Sequence, residues 1–452
     1  MTVKSGMCLV VLLHQLKNPT KIPNSAQLSS FVSFRSMTEE MNTEVNKAVV
    51  SEMDLKGLHI SSLDEDEDEE PEEIIDEDND DEENEPAVTL GFVEEPEHNW
   101  SFDRQVFPSK AGGVPAWLDP VNLPSEESTL CDVCQEPLQF MLQVYAPLDE
   151  KESTFLRTLF VFMCLSNKCL LRDQHEQWKR PPEKPSRCVK VFRCQLPRAN
   201  PFYSSEDPKY DGTDKPIGEG APLCNWCGTW KGNKICGSCK RTRYCSQKHQ
   251  VKHWQSGHKL ECKQLSISSH FSNTSLLNVE SSSKDIHKVA SNALWPEYEM
   301  RHEDESGYDT EMSEDDEQAN SIVRTGKIND AEMLDFEGDD DRKSCTAFLL
   351  RMRKAPTQIL RYCRNGNAKP LWPVSSGQPS KADIPKCNYC GGPMCFEFQI
   401  LSKLLYYFHV KDDVDSVDWA TIVVFTCKAS CDASISYKEE FAWVQLWSPS
   451  SN

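Results

Sequence analysis

A chain of 452 residues is long enough for two or three compact domains, since a single core rarely grows past a few hundred residues. Its 72 Asp and Glu against 49 Lys and Arg leave a formal net charge of −23, which excludes free DNA or RNA as a default partner unless a basic patch is set apart. No stretch approaches the roughly 20 apolar residues that span a bilayer, so no membrane passage is expected. The 20 cysteines fall mostly in Cys-x-x-Cys and related pairs, with His joining in, which is metal spacing and points to a reducing compartment, cytoplasm and nucleus.

Residues 1–86 read as a disordered extension. The first 38 contain Lys4, Lys17, Lys21 and Arg35 and no acidic residue, which suits either an organelle transit peptide or an upstream extension before a start at Met37. Asp64 to Glu85 is almost entirely Asp and Glu, a block that stays solvated because it cannot bury a core. Order is expected to resume near Leu90-Gly-Phe-Val93 and Gly112-Gly-Val-Pro-Ala-Trp-Leu118, opening a β-rich, zinc-binding half over 87–205.

Beyond it, 224–262 is a zinc module, 263–340 a Ser-rich and acidic linker, and 341–450 a second β-rich half. The two halves are copies. Cys131-Asp-Val-Cys134-Gln-Glu-Pro137-Leu-Gln-Phe140-Met-Leu-Gln143-Val144 aligns without a gap on Cys387-Asn-Tyr-Cys390-Gly-Gly-Pro393-Met-Cys-Phe396-Glu-Phe-Gln399-Ile400. Each is followed by a β-like run ending in cysteine, Thr158 to Cys164 and Thr421 to Cys427, and then by Cys169 or Cys431. Phe140, Leu142 and Val144 alternate with their neighbours, as do Phe396, Phe398 and Ile400, the period of a half-buried strand. The fold class is therefore mainly β, two related halves able to pack as one pseudo-symmetric unit around an inserted zinc module. Helices are expected over Ala355 to Tyr362 and after Ser246.

The strongest motif is Cys224-x2-Cys227-x8-Cys236-x2-Cys239-x5-Cys245-x3-His249-x8-His258-x3-Cys262. Eight ligands make two tetrahedral sites, because Zn2+ takes thiolate and imidazole and lets a module with little apolar content fold around it. The repeated sets Cys131, Cys134, Cys164, Cys169 and Cys387, Cys390, Cys427, Cys431 have the look of one all-thiolate zinc site each, against the alternative of buried free thiols. Two zinc ions in the module and up to two more are expected. The finger is locally basic from Lys231 to Lys259, but lacks the stacking platforms or recognition helix that a nucleic-acid reading needs.

The ligand pattern resembles the MYND finger. That resemblance implies interleaved pairing, with Cys224, Cys227, Cys245 and His249 on one ion and Cys236, Cys239, His258 and Cys262 on the other. MYND fingers bind short proline-containing peptides, and the Gln and Trp of their helix match Gln250 and Trp254; the alternative is that Trp254 packs the small core. Trp226 and Trp230 are expected in the core. This sequence departs from the usual pattern in having His249 where Cys is common, and in the spacing to His258.

More broadly, the chain from about Leu90 to Trp447 resembles the programmed cell death protein 2 family. The residues that carry this are Leu90-Gly-Phe-Val93, Gly113-Val-Pro-Ala-Trp-Leu118, Leu196-Pro-Arg-Ala-Asn-Pro-Phe-Tyr203, the finger, and Asp383-Ile-Pro-Lys-Cys-Asn-Tyr-Cys-Gly-Gly-Pro393. The resemblance implies a dedicated chaperone that captures a basic small-subunit ribosomal protein for 40S assembly. A MYND-based adaptor or corepressor that binds proline-rich peptides in proliferation control is the alternative. Some MYND fingers accompany a SET methyltransferase, but the Asn-His-Ser-Cys motif of those enzymes is missing, so no enzyme is expected. The repeat also suggests that the two β halves form the client-binding body, with the finger as an accessory.

Overall fold

The computed structural model describes residues 87–124, 127–178, 186–271, 289–308, 340–411, 413 and 415–447. The readings of residues 1–86 as a transit peptide or extension with an acidic block lie outside this set. Ten strands close into one antiparallel barrel, and a separate two-stranded ribbon belongs to the finger. In chain order the strands are β1 Thr89–Glu94, β2 Lys110–Ala111, β3 Gln139–Tyr145, β4 Leu156–Met163, β5 Val189–Leu196, the ribbon strands β6 Lys234–Ile235 and β7 Arg243–Tyr244, then β8 Tyr298–Asp304, β9 Leu360–Tyr362, β10 Met394–Leu401, β11 Thr421–Cys427 and β12 Tyr437–Gln445. The barrel runs β1-β8-β2-β3-β4-β5-β12-β11-β10-β9 and returns to β1. Closure leaves the barrel itself no open sheet edge to template aggregation.

The repeat seen in sequence is repeated in register. Phe140 pairs with Phe162, Leu142 with Val161 and Gln143 with Phe160. In the second copy Phe396 pairs with Phe425, Phe398 with Val424 and Gln399 with Val423. Both ladders slip at the same place, between Phe140 and Leu142 and between Phe396 and Phe398, where one extra residue bends the strand. The halves meet along β5 and β12. On the other side they exchange their leading strands: β1 lies against β9 of the second half, and β8 lies against β2 of the first.

This exchange corrects the expected linker over 263–340 around residues 298–305, while 272–288 and 309–339 lie outside the described residues. Tyr298–Asp304 is a barrel strand, and Glu305 beyond it is buried in ion pairs with Arg351 and Arg361. The acidic composition resembled a linker, but Tyr298 and Met300 are buried and the carboxylate of Glu305 has two guanidinium partners. The expected helix over Ala355 to Tyr362 is likewise corrected. A helix spans Asp340–Lys354, with Asp340 and Asp341 in its first turn and Arg351, Arg353 and Lys354 in its last, which complements its dipole. It stops before Pro356, which disfavours helical backbone in the residue ahead of it, and Leu360–Tyr362 becomes β9. A second helix, α1 at Asn167–Trp178, had no counterpart in the sequence reading.

Nor are the repeat strands half-buried: Met141 and Gln143 are as enclosed as Leu142 and Val144. One face looks into the barrel, where Leu142, Val161 and Val191 share an apolar cluster with Phe398, Ile422, Val424 and Val444. The other face is covered. In the first half Phe140, Phe160, Phe162 and Phe192 lie under Trp117 and Trp230; in the second, Phe396, Phe425, Phe441 and Trp443 lie under Trp372 and Ile384.

Candidate metal centres

Each cluster is built on the same knuckle. The amide of Gln135 bonds the carbonyl of Cys131 at 2.8 Å, Gly228 that of Cys224 at 2.8 Å, Lys240 that of Cys236 at 3.1 Å and Gly391 that of Cys387 at 2.8 Å. These four residues, each directly after the second cysteine of its pair, have φ of 58°, 65°, 58° and 69°. Glycine takes that left-handed backbone without cost, whereas Gln135 and Lys240 carry a strain of the order of 1 kcal/mol. The turn aims both thiols of a pair at one point.

The structure brings four sets together, the ligand atoms of each lying within 4.8 Å of one another. They are Cys131, Cys134, Cys164, Cys169; Cys224, Cys227, Cys245, His249; Cys236, Cys239, His258, Cys262; and Cys387, Cys390, Cys427, Cys431. The interleaved arrangement in the finger is thus the one adopted. Sulfur pairs are 3.5 Å apart for Cys134 and Cys164, 4.0 Å for Cys227 and Cys245, 3.7 Å for Cys236 and Cys262, 3.7 Å for Cys387 and Cys431, and 3.6 Å for Cys390 and Cys427. A Zn–S bond of about 2.3 Å in a tetrahedron gives an edge of about 3.8 Å, while a disulfide needs about 2.05 Å. Donor type and spacing therefore fit a zinc ion in every set.

Histidine placement follows from the finger's helix. Ser246 caps α2, Gln247–His253, by accepting the His249 amide at 3.1 Å, which turns His249 so that its Nδ1 is 3.2 Å from Cys245 and 3.7 Å from Cys224. The wide turn Trp254–His258 kinks at Gly257, φ 155°, before α3 at Lys259–Phe271. The kink presents His258 Nε2 to Cys239 at 3.7 Å. His258 Nδ1 and His253 Nε2 both face the Glu261 carboxylate, at 3.6 and 3.7 Å, the outer carboxylate that commonly orients a metal-bound imidazole. Sequence reasoning missed His253 and Glu261, although Glu261 three residues past His258 on a helix is a readable signal.

Electrostatics in the clusters calls for a cation. Hydrogen bonding from Cys164 brings the Cys131 thiol down to about 5. Burial opposes ionisation of Cys239, yet the Thr242 hydroxyl and neighbouring amides bring it down to about 6. In the other two clusters the shift runs the other way: burial and the adjacent thiols push Cys227 and Cys431 up to about 12. Three or four thiols this close cannot all ionise without a compensating positive charge. Among the remaining described cysteines, burial also raises Cys188, Cys194, Cys345, Cys363 and Cys395, as expected of plain thiols.

The peptide-contact candidates lie on the outer side of the finger. Trp254 is 41% exposed and Gln250 is half-buried, so core packing does not account for Trp254. Trp230 is different. It is 1% exposed, its ring is 4.4 Å from Phe162 and 5.7 Å from Trp117, and its Nε1 donates to Leu138 O at 2.8 Å. Trp117 Nε1 in turn donates to Thr229 O at 2.8 Å, and Lys248 and Lys252 hold Glu136 at 2.7 and 3.3 Å. The finger thus shares the core of the barrel's first half through Trp230 and Thr229.

Comparisons with known proteins follow these boundaries. The family model described as programmed cell death protein 2, N-terminal domain, matches residues 87–210; its C-terminal putative domain matches 342–446; and the MYND finger matches 224–262. Programmed cell death protein 2 of Bos taurus is 35% identical over 80% of this chain and 97% of its own, and that of Rattus norvegicus 35% over 79% and 96%. A weaker likeness, 28% identity over 23% of this chain and 27% of the other, links it to the probable 20S rRNA accumulation protein 4 of Schizosaccharomyces pombe. No solved structure matches the chain. With that coverage and identity across both barrel halves and the finger, the chain belongs to the programmed cell death protein 2 family.

Proposed function

We propose that this chain is a zinc-holding binding protein, not an enzyme, and that it acts as a dedicated chaperone for a basic small-subunit ribosomal protein in 40S assembly. The observation that carries the binding reading is the composition of the clusters: each has four protein ligands, the closed arrangement of structural zinc, with no position kept for a substrate or reactive water. The MYND finger is a protein-interaction module, which agrees with a protein client. The ribosomal reading rests on the family and on the name of the fission yeast relative, a probable 20S rRNA accumulation protein. Charge agrees with it, since a chain at −23 attracts a basic client and speeds encounter. Cytoplasm and nucleus are where such a client is made and used.

A second reading, an adaptor that takes proline-rich peptides through the finger, is favoured by the exposure of Trp254. Affinity purification of the full chain in mild salt separates the two. A small-subunit ribosomal protein as the dominant stoichiometric partner is expected. Recovery of chromatin or signalling factors in its place overturns the chaperone reading.

A further inference from the structure

We propose that the C-terminal four-cysteine cluster is a releasable clasp between the two barrel halves: metal at Cys387, Cys390, Cys427 and Cys431 holds the β5–β12 seam shut, and its loss loosens that seam. The argument begins with the loop from Cys427 to Asp432, which supplies two of the four ligands and also reaches into the other half. Ser430 Oγ accepts from Arg157 Nε at 3.1 Å, and Ser430 O from Gln195 Nε2 at 3.2 Å. Cys431 O accepts from Arg193 NH1 at 3.3 Å, with Arg193 NH2 3.8 Å from the Cys431 sulfur. Asp432 accepts from Gln195 at 2.6 Å and from Ser153 at 3.0 Å. Glu440 joins the same system, taking Arg193 Nε at 2.5 Å on one oxygen and the Cys427 amide at 2.9 Å on the other.

Arg157, Arg193 and Gln195 belong to β4 and β5 of the first half, and all three are buried. A buried guanidinium that loses an acceptor is left with an unmet desolvation penalty. Any change in the shape of the 427–432 loop is therefore felt by the first half directly. The loop's shape depends on the metal, because Cys427 and Cys431 have to converge on Cys387 and Cys390 to share it. The corresponding loop of the first half, Cys164 to Cys169, bonds instead within its own half, where the Cys164 amide meets Cys188 O at 2.8 Å. The two repeats thus carry equivalent clusters with unequal attachments.

Access completes the case. Cys390 is exposed, unlike any other described cysteine, so a competing chelator reaches this cluster first. The metal most easily removed is then the one that fastens the halves together. The clasp does not depend on the client's identity.

The test uses the full zinc-loaded chain titrated with a chromogenic chelator, with cysteine alkylation mapped by mass spectrometry and backbone amide exchange followed in parallel. The expected result is that Cys387, Cys390, Cys427 and Cys431 become alkylated first, and that exchange rises at the same step over 151–158 and 193–196 while the finger stays protected. Exchange rising only over 385–393 and 427–433 shows a local staple and overturns the clasp. So does first release from another cluster. Because Cys390→Ser risks unfolding its half, Asp432→Ala gives an independent arm: it leaves all four ligands in place but removes two bonds across the seam. Chelator removal of the C-terminal zinc is expected to become several-fold faster in D432A, and an unchanged rate contradicts the coupling.

Discussion

Glu397 receives both terminal nitrogens of Arg157, at 2.6 and 2.7 Å, with each side chain fully buried. The two residues are 240 positions apart, on β4 and β10, strands that are not neighbours in the barrel. The pair therefore ties the first half to the second through the interior. Removing one partner leaves the other charge buried without its main counter-ion, which costs about 3–5 kcal/mol, whereas an apolar pair of similar volume is much better tolerated. Denaturant unfolding is expected to show Glu397→Gln and Arg157→Met each strongly destabilised, and the double variant R157M/E397L less so than the sum. Additive losses would mean that the pair does not act as a unit.

The same pair sets an acid limit. Burial alone raises a carboxyl, but Arg157, Arg364 and the Thr426 hydroxyl outweigh it and hold Glu397 below its ordinary value. A carboxylate lowered in the folded state contributes stability that is fully present above its unfolded value, about 4.3, and is lost as pH falls through the folded one. Stability is expected to decline below about pH 4, and the decline to become shallower in R157M/E397L. An unaltered acid limb would remove Glu397 from the explanation.

Metal content gives the third expectation. Full-length protein purified without chelator is expected to hold four zinc ions, two in the finger and one in each barrel half, because each of the four sets has tetrahedral spacing. Elemental analysis finding less than two per chain sinks the finger assignment, while a value of two places the outer clusters among ordinary free thiols.

How much of this was legible in the sequence depends on range. Ligand sets were readable because a Cys-x-x-Cys knuckle is local and its partners recur at fixed offsets. The repeat was readable because Phe140 and Gln143 reappear as Phe396 and Gln399 in the same frame. Its upstream part was not: Gln143 accepts the Ala116 amide at 2.8 Å and Gln399 the Leu371 amide at 2.8 Å, so Pro115-Ala-Trp117 and Pro370-Leu-Trp372 are equivalent, a match too short to see without the shared glutamine. Strand β8 was missed because its alternation covers only Tyr298 and Met300 within an acidic run. The Arg157 pair and the exchange of β1 and β8 have no local signature at all, since each is fixed by chain closure over long separations.

Trp230 decides what can be done with the finger. Its ring lies under the first half against Phe162, so Trp230→Ala opens a cavity in the barrel's own packing, with an expected loss of about 3–5 kcal/mol. Excising 224–262 is expected to do at least as much damage. Loss of client binding after such a deletion therefore does not locate the binding surface, and thermal melting of W230A with intact zinc content checks the point. A melting temperature equal to that of the parent would show that the finger docks without supporting the core.

The finger's outer face can be tested without that difficulty. Trp254 lies one helical turn beyond Gln250, is 41% exposed, and makes its aromatic contact edge-on to His258 at 6.0 Å. A side chain in that position supports little of the core, so Trp254→Ala is expected to change stability by no more than about 0.5 kcal/mol and to leave zinc content unchanged. An exposed tryptophan over a rigid zinc-bound helix is also the residue type that dominates interface energetics. If the finger takes a proline-rich segment, W254A and Gln250→Ala lower that affinity at least tenfold, about 1.4 kcal/mol, while capture of a ribosomal client by the barrel persists. Should W254A abolish ribosomal capture as well, the two activities share one surface. Unchanged binding of both partners would leave Trp254 without a role in recognition and move the search to the barrel.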